Sequence, residues 1–280
     1  MQSATQAKQQ ILLLKQLPPL SATAARLLEI LSDDNCSLAQ LARVISQDPT
    51  VTARILGVAN SAYFGQVTPI HTVEEAIIRV LGLNMVKSLA FSIALSGVFD
   101  TTRCQGFDLE NYWFRSLATA LMSRELCRHV VASKQPDLDS VYLAGLLFDI
   151  GTLVLVHLFP EDYAKVIAQL RQTPSDPRRL ETELVGISSR EAGAWLTDRW
   201  HLPPVVVKVV ALSVRDDSAC EVAAVSLAAD RVSARAGQDQ DPSGELGMLP
   251  GLTETALAEI EAQCRLRDEE LHSIADLMVK

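Results

Sequence analysis

Paired cysteines are absent from this 280-residue chain. Its five, Cys36, Cys104, Cys127, Cys220 and Cys264, show no C-x-x-C spacing. An odd, scattered set in a chain with ample apolar residues reads as reduced thiols of a cytoplasmic protein. Histidine is thin as well: His71, His129, His157, His201 and His272 form no H-x-x-x-H or H-x-E pair. Each reads as a hydrogen-bonded or solvated imidazole. Neither G-x-x-x-x-G-K-[ST] nor G-x-G-x-x-G nor G-x-S-x-G occurs, so phosphate-cradling loops and serine-hydrolase elbows are unsupported. Basic residues are outnumbered 25 to 34, for a net charge of −9. That excludes a general binder of nucleic acid or anionic membrane, because phosphate attraction needs a positive field. A local basic pocket stays open. The N-terminal stretch MQSATQAKQQILLLKQLPP lacks a long apolar segment with a small-residue cleavage site, so no secretory signal is expected.

What is present is ordinary globular material, 48% apolar and 21% charged. A chain of this size buries roughly three quarters of its unfolded surface and needs no staple. One run, Val141 to Phe159, imitates a membrane span, but Asp149 and Gly151 sit at its centre. An unpaired carboxylate in hydrocarbon is costly, so two buried helices meeting at Asp149 are expected, in a soluble protein without a membrane partner.

Few segments alternate with period two and many repeat at helical spacing, which predicts an all-α fold. Ser37–Gln40, Thr72–Glu75 and Ser188–Glu191 have capping-box spacing. Asp48-Pro49 starts a helix, and Gly65 closes the segment after Tyr63 and Phe64. The spacing predicts helices over 4–16, 21–32, 38–47, 50–61, 72–81, 83–99, 109–131, 138–148, 151–158, 161–171, 177–186, 189–200, 203–214, 219–236 and 253–278. The polar stretch Thr101–Phe107 divides an N-terminal helical bundle, 1–103, from a helical core, 104–236; a loop and a last helix fill 237–280. In that last helix Leu257, Ile260, Cys264, Leu271, Ile274 and Met278 fall near a heptad seam broken at Arg267-Asp268, which favours docking on its own domain over a coiled-coil dimer. Monomer and homodimer both stay open.

Two sets of residues together resemble a known family. The first is Leu17-Pro18-Pro19-Leu20, Ile45-Ser46-Gln47-Asp48-Pro49 and Leu56 through Gly65. The second is Tyr112-Trp113-Phe114-Arg115-Ser116, Leu143-Ala144-Gly145-Leu146-Leu147-Phe148-Asp149-Ile150-Gly151, Glu191-Ala192-Gly193 and Trp200-His201-Leu202-Pro203. The pattern, over about 17–214, is similar to the HDOD family, the HD-related output domains of bacterial signalling proteins. The resemblance implies an HD-like helical core related to metal-dependent phosphohydrolases. Those enzymes use His and Asp to hold divalent metal, which generates a nucleophile and neutralises phosphoryl charge.

Carried over position by position, the first metal-ligand His falls on Arg115 and the His of the His-Asp doublet on Phe148, with its Asp kept as Asp149. A later His falls on Ser189, a terminal His pair near Ser213-Val214, and the final Asp is kept as Asp230. Two carboxylates and an added cation do not make a di-metal site, so neither catalysis, metal nor cofactor is expected. Arg115 is expected to replace the metal's charge by pairing with Asp149, Asp230 or both. In the competing picture Asp149 caps the next helix and Arg115 reaches solvent.

The resemblance therefore implies a non-catalytic signal-transduction output module with protein partners. A metal-dependent HD-type phosphohydrolase and a cyclic-dinucleotide receptor are the competing functions. Arg103, Arg178 and Arg179 are candidates for an anionic ligand, though charged helix starts are usually just solvated. Trp113, Trp195 and Trp200 read as core. Asn60, Ser61, Tyr63 and Phe64, before Gly65, read either as a helix end tucked under the first bundle or as a docking surface for a signalling partner.

Overall fold

The computed structural model describes residues 19–33, 35–130, 136–173, 175–212, 219–235, 249 and 251–279. The expected helix 4–16, the dipeptide Leu17-Pro18, Ser213-Val214 and nearly all of the 237–251 loop lie outside the described residues. Among the described residues every regular element is helical and there is no strand, so the fold is all-α.

The chain opens with α1 (Ala22–Leu31), α2 (Leu38–Ser46) and α3 (Pro49–Ala59). Each start is fixed by a side chain. Ser21 accepts from the Ala24 amide, Ser37 and Gln40 form a reciprocal capping box, and Asp48 accepts from Thr50 and Val51 ahead of Pro49. A 3₁₀ turn, Ala62–Phe64, ends at Gly65 with φ 58°, a left-handed conformation open to glycine. The helix expected over 72–81 is instead a short α4 (Val73–Ala76) running into a π turn, Ile77–Leu81. Thr72 caps α4, but the Glu75 carboxylate reaches past it to the His71 amide at 2.8 Å, so no reciprocal box closes. That backbone bond from His71 holds Glu75 below the usual carboxylate pKa.

The buried α5 (Leu83–Ser96) lies on α1, and after the Thr101–Phe107 turns α6 (Leu109–His129) forms the central post of the molecule. On it pack α7 (Leu138–Leu146) and α13 (Ala219–Arg235); between these two in the chain, α8 (Ile150–Leu158) lies against α9 (Pro160–Gln172) and α11 (Ser189–Arg199), α10 (Pro177–Leu184) against α9, and α12 (Pro204–Val210) against α7, α11 and α13. Leu138–Leu158 is apolar and long enough to cross a membrane, but 78% of its most apolar window is buried inside the protein. It breaks between α7 and α8 at Asp149, as expected. Most of its apolar residues pack inside the protein.

The single helix expected over 253–278 is two helices, α14 (Glu254–Arg265) and α15 (Asp268–Val279). The charged Arg267-Asp268 step interrupts the apolar stripe, and the break lets each half bury its own face: Leu257 and Ile260 on one, Leu271, Ile274 and Met278 on the other. The last helix lies on α6 and also on α3 and the 3₁₀ turn, a wider footing than the expected core segment. All five cysteines are free thiols; Cys36, Cys104 and Cys127 are buried. Trp113 is fully buried, whereas Trp195 and Trp200 are only half-buried against the core.

Candidate functional site

Helix packing leaves a cavity of about 450 Å³ between the starts of α6, α8, α10 and α11, one face of α9 and one face of α13. Glycines set this geometry. A Cβ on Gly151 would stand 1.8 Å from the Ser189 carbonyl oxygen and 2.6 Å from the Gly193 amide nitrogen. Only without side chains can the backbones of α8 and α11 touch, and that contact holds Phe148-Asp149 and Ser189-Arg190 on one wall. Gly145 does the same between α7 and α6, where a Cβ would meet the Ala120 Cα at 2.6 Å.

Arg115, Phe148, Asp149 and Ser189 all line the cavity, and Asp230 sits on α13 between the lining residues Ala229 and Ser233. Asp149 occupies the N-cap position of α8, yet its side chain makes no cap bond. Its carboxylate meets Arg115 Nη2 at 3.3 Å, and the same nitrogen donates to Ser233 Oγ at 3.1 Å. The side chains are 22% and 31% exposed, so the pair is partly screened. Of the two sequence readings, pairing describes Asp149 and capping does not. Asp230 has Arg178 and Arg190 as its favourable electrostatic neighbours; burial outweighs them and raises its pKa.

Residues not singled out in the sequence complete the wall. The Arg190 guanidinium lies 3.9 Å from the centre of the Phe148 ring and donates through Nη1 to the carbonyls of Phe148 at 3.3 Å and Val210 at 3.0 Å. Burial lowers its pKa to about 10, which leaves it charged at neutral pH. Glu181, 2% exposed, accepts from the Tyr163 hydroxyl at 3.2 Å and the Ser189 amide at 2.7 Å. Burial still dominates and raises its pKa to about 7. The position after Ser189 could have pointed to Arg190, because the Ser188–Glu191 box fixes the helix start there. Glu181 carries no such signal; its burial follows from how α10 meets α9 and α11. Of the three candidate anion-binding arginines, Arg178 lines the cavity. Arg103 is exposed in the Thr101–Phe107 turns, and Arg179 pairs with Glu183 at 2.8 Å.

The donor set does not fit the divalent metals of the enzymes. Asp149 is engaged by a guanidinium, burial raises the pKa of Asp230, Glu181 is bonded to Tyr163 and the Ser189 amide, Asp108 caps α6, and no histidine lines the cavity. Among the described residues no group of three or more His, Cys, Asp or Glu side chains converges for a metal. The histidines act elsewhere: His157 Nδ1 accepts from the Asp100 amide at 2.9 Å, and His272 stacks on Phe114 at 3.8 Å.

The Asn60–Phe64 turn is built differently. The Asn60 amide donates to the carbonyls of Leu56 and Ile70, both at 2.9 Å, and accepts from the Ile70 amide at 2.8 Å. Ser61 is buried and donates to the Val58 carbonyl at 2.7 Å. The Tyr63 hydroxyl accepts from Arg267 Nη1 at 3.0 Å, while its ring meets Phe64 edge-on at 4.8 Å. The two rings close a small apolar cleft with Met85, Leu121 and Leu271. The four residues are brought together; Ser61 is buried, while Asn60 is exposed but bonded back to the chain.

The HDOD domain matches residues 17–215, across both halves of this architecture and the whole Arg115–Ser189 wall. The chain belongs to the HDOD family. Its fold is similar to that of a Marinobacter aquaeolei VT8 protein described as a signal transduction protein, at a TM-score of 0.82 and 24% identity over 99% of this chain and 66% of that one. It is also similar to a Shewanella amazonensis SB2B protein described as a phosphohydrolase, at a TM-score of 0.71 and 22% identity over 99% of both chains. An uncharacterized protein of Treponema pallidum (strain Nichols) is 25% identical over 194 residues, 69% of this chain. This HDOD chain spans 37% of that relative's length. It is an all-α domain of the HDOD type.

Proposed function

We propose that this HDOD domain is a non-catalytic output module of bacterial signal transduction, acting in the cytoplasm by binding other signalling proteins. One observation carries the reading: the Arg115 guanidinium, bonded to Asp149 at 3.3 Å, stands at the place the resemblance gives to the enzymes' first metal ligand. A fixed cation there repels a divalent ion and engages the carboxylate that would bind it. Phe148 and Ser189 supply no replacement imidazole, and an apolar ring is no ligand for a hard or borderline metal. Hydrolysis of a phosphodiester by such a site lacks both the metal-activated water and the charge neutralisation that the transition state needs.

The function left to the fold is presentation of a helical surface. The name of the Marinobacter relative agrees with this reading, and that of the Shewanella relative with the opposing one. Elemental analysis of the purified chain, combined with assays of a generic phosphodiester in manganese and in nickel, separates them. The expected outcome is no stoichiometric metal and no turnover, with specific protein partners recovered from the native host. Stoichiometric metal together with turnover overturns the proposal.

A further inference from the structure

The cavity beside Arg115 has retained hydrogen-bonding capacity that the protein does not use. Its acids are largely engaged: Asp149 with Arg115, Glu181 with Tyr163 and the Ser189 amide, and Asp108 with the Asn111 amide at the start of α6. Its donors are not. Among the described residues the half-buried Arg178 guanidinium makes no hydrogen bond or ion pair, and Arg190 Nε is buried without a partner. Arg171 donates only to a neutral carbonyl, that of Gly106, at 3.0 Å. Buried donors are normally satisfied, so the open Arg190 Nε beside the unpaired, half-buried Arg178 points to an acceptor-rich ligand. Arginine forks match the geometry of phosphate oxygens.

The shape narrows the class. A cavity of about 450 Å³ lies within the range of small-molecule sites, about 300–1,000 Å³, and is far larger than a bare phosphate needs. Phe107 and Tyr112, with ring centres 6.2 Å apart, line the wall near the α6 start. They give that wall an apolar ring surface. Asp230 opposes an anion here, since it faces Arg178 and Arg190.

We infer that this cavity is a binding site for a nucleotide, with Arg178 and Arg190 holding a phosphate group and the aromatic wall taking the base. The inference rests on the non-catalytic reading, because the ligand is bound and not cleaved. Calorimetric titration of the full chain with inorganic phosphate, guanosine monophosphate and a cyclic dinucleotide tests it. At least one nucleotide is expected to bind saturably. Arg178→Gln should weaken binding by about tenfold or more, the scale of one lost charge-assisted contact. Asp230→Asn should tighten it several-fold by removing the competing charge, a gain that a misfolded variant does not produce. Absence of nucleotide binding at millimolar concentration, unchanged affinity in Arg178→Gln, or phosphate binding as tightly as the nucleotides overturns the site. Hydrolysis of a bound nucleotide in manganese overturns instead the non-catalytic reading and leaves the site standing.

Discussion

At the Asn60–Phe64 turn the conspicuous polar groups are bonded back into the chain: three bonds from one Asn amide, one from Ser61, one to the Tyr63 hydroxyl. At the cavity beside Asp149 the carboxylates are mostly paired while arginine donors remain open. Both places stand out in the sequence, yet one closes a joint and the other keeps a space. The difference lies in what surrounds them. The turn sits where α3, the 3₁₀ segment and α15 converge, so its groups meet each other. The cavity is walled by helix ends, two of which glycines hold in backbone contact.

Removing the glycine contact should break the cavity wall most severely. Gly151→Ala places a methyl 1.8 Å from the Ser189 carbonyl oxygen. The expected cost is upward of about 4 kcal/mol in urea denaturation, or failure to fold.

The next largest effect is a pH dependence centred on the cavity. Glu181 has a folded pKa raised to about 7, above its ordinary 4.5, so the native state binds the extra proton between those values. Its contribution to stability is therefore fully present below about pH 4.5 and is lost as pH rises toward and through about 7. Glu181→Gln should abolish that loss, worth of order 3 kcal/mol at one unit per 1.36 kcal/mol. Its amide can keep both bonds by accepting from Ser189 and donating to Tyr163. Urea curves at pH 5 and pH 8 that shift equally for both proteins would contradict this account.

At the turn, Asn60→Ala strands the Ile70 amide and carbonyl, while the Leu56 carbonyl keeps its bond from the backbone amide of residue 60, and a loss of about 2 kcal/mol is expected in thermal or chemical unfolding. A near-neutral result would mean that water replaces the amide, making the turn as open as the cavity. Arg115→Ala should cost only about 1 kcal/mol, because Asp149 is partly exposed and can rehydrate. The smallest effect belongs to Gly57→Ala, where the new methyl meets only the flexible end of Leu277 at 3.2 Å and helix propensity compensates. A loss above about 1 kcal/mol would show that α15 is held more rigidly on α3 than its side chains indicate.

Most helices could be read from local pattern. Ser37, Asp48 and Ser188 mark their helix starts because a cap needs only a side chain and the next few amides. The same logic misled at Thr72, where Glu75 took an amide outside the box, and at 253–278, where one apolar stripe concealed a turn at Leu266-Arg267. At the site, the Arg115–Asp149 pair was anticipated from where the family resemblance placed those residues. Glu181 and Arg190 were not, since a charged residue on a short helix reads as solvated until its neighbours are known.

The order of apolar and capping residues by itself determined that this chain is helical and where its helices begin, because those choices are made within a few residues by backbone hydrogen bonds. The replacement of imidazoles by Arg115, Phe148 and Ser189 was equally a matter of sequence. Only the tertiary structure decided that Asp149 turns to Arg115 instead of capping α8, that Glu181 is buried, and that arginine donors face one cavity. Those outcomes depend on contacts between residues tens of positions apart, where burial and close backbone approach set the energy and local preference has no say.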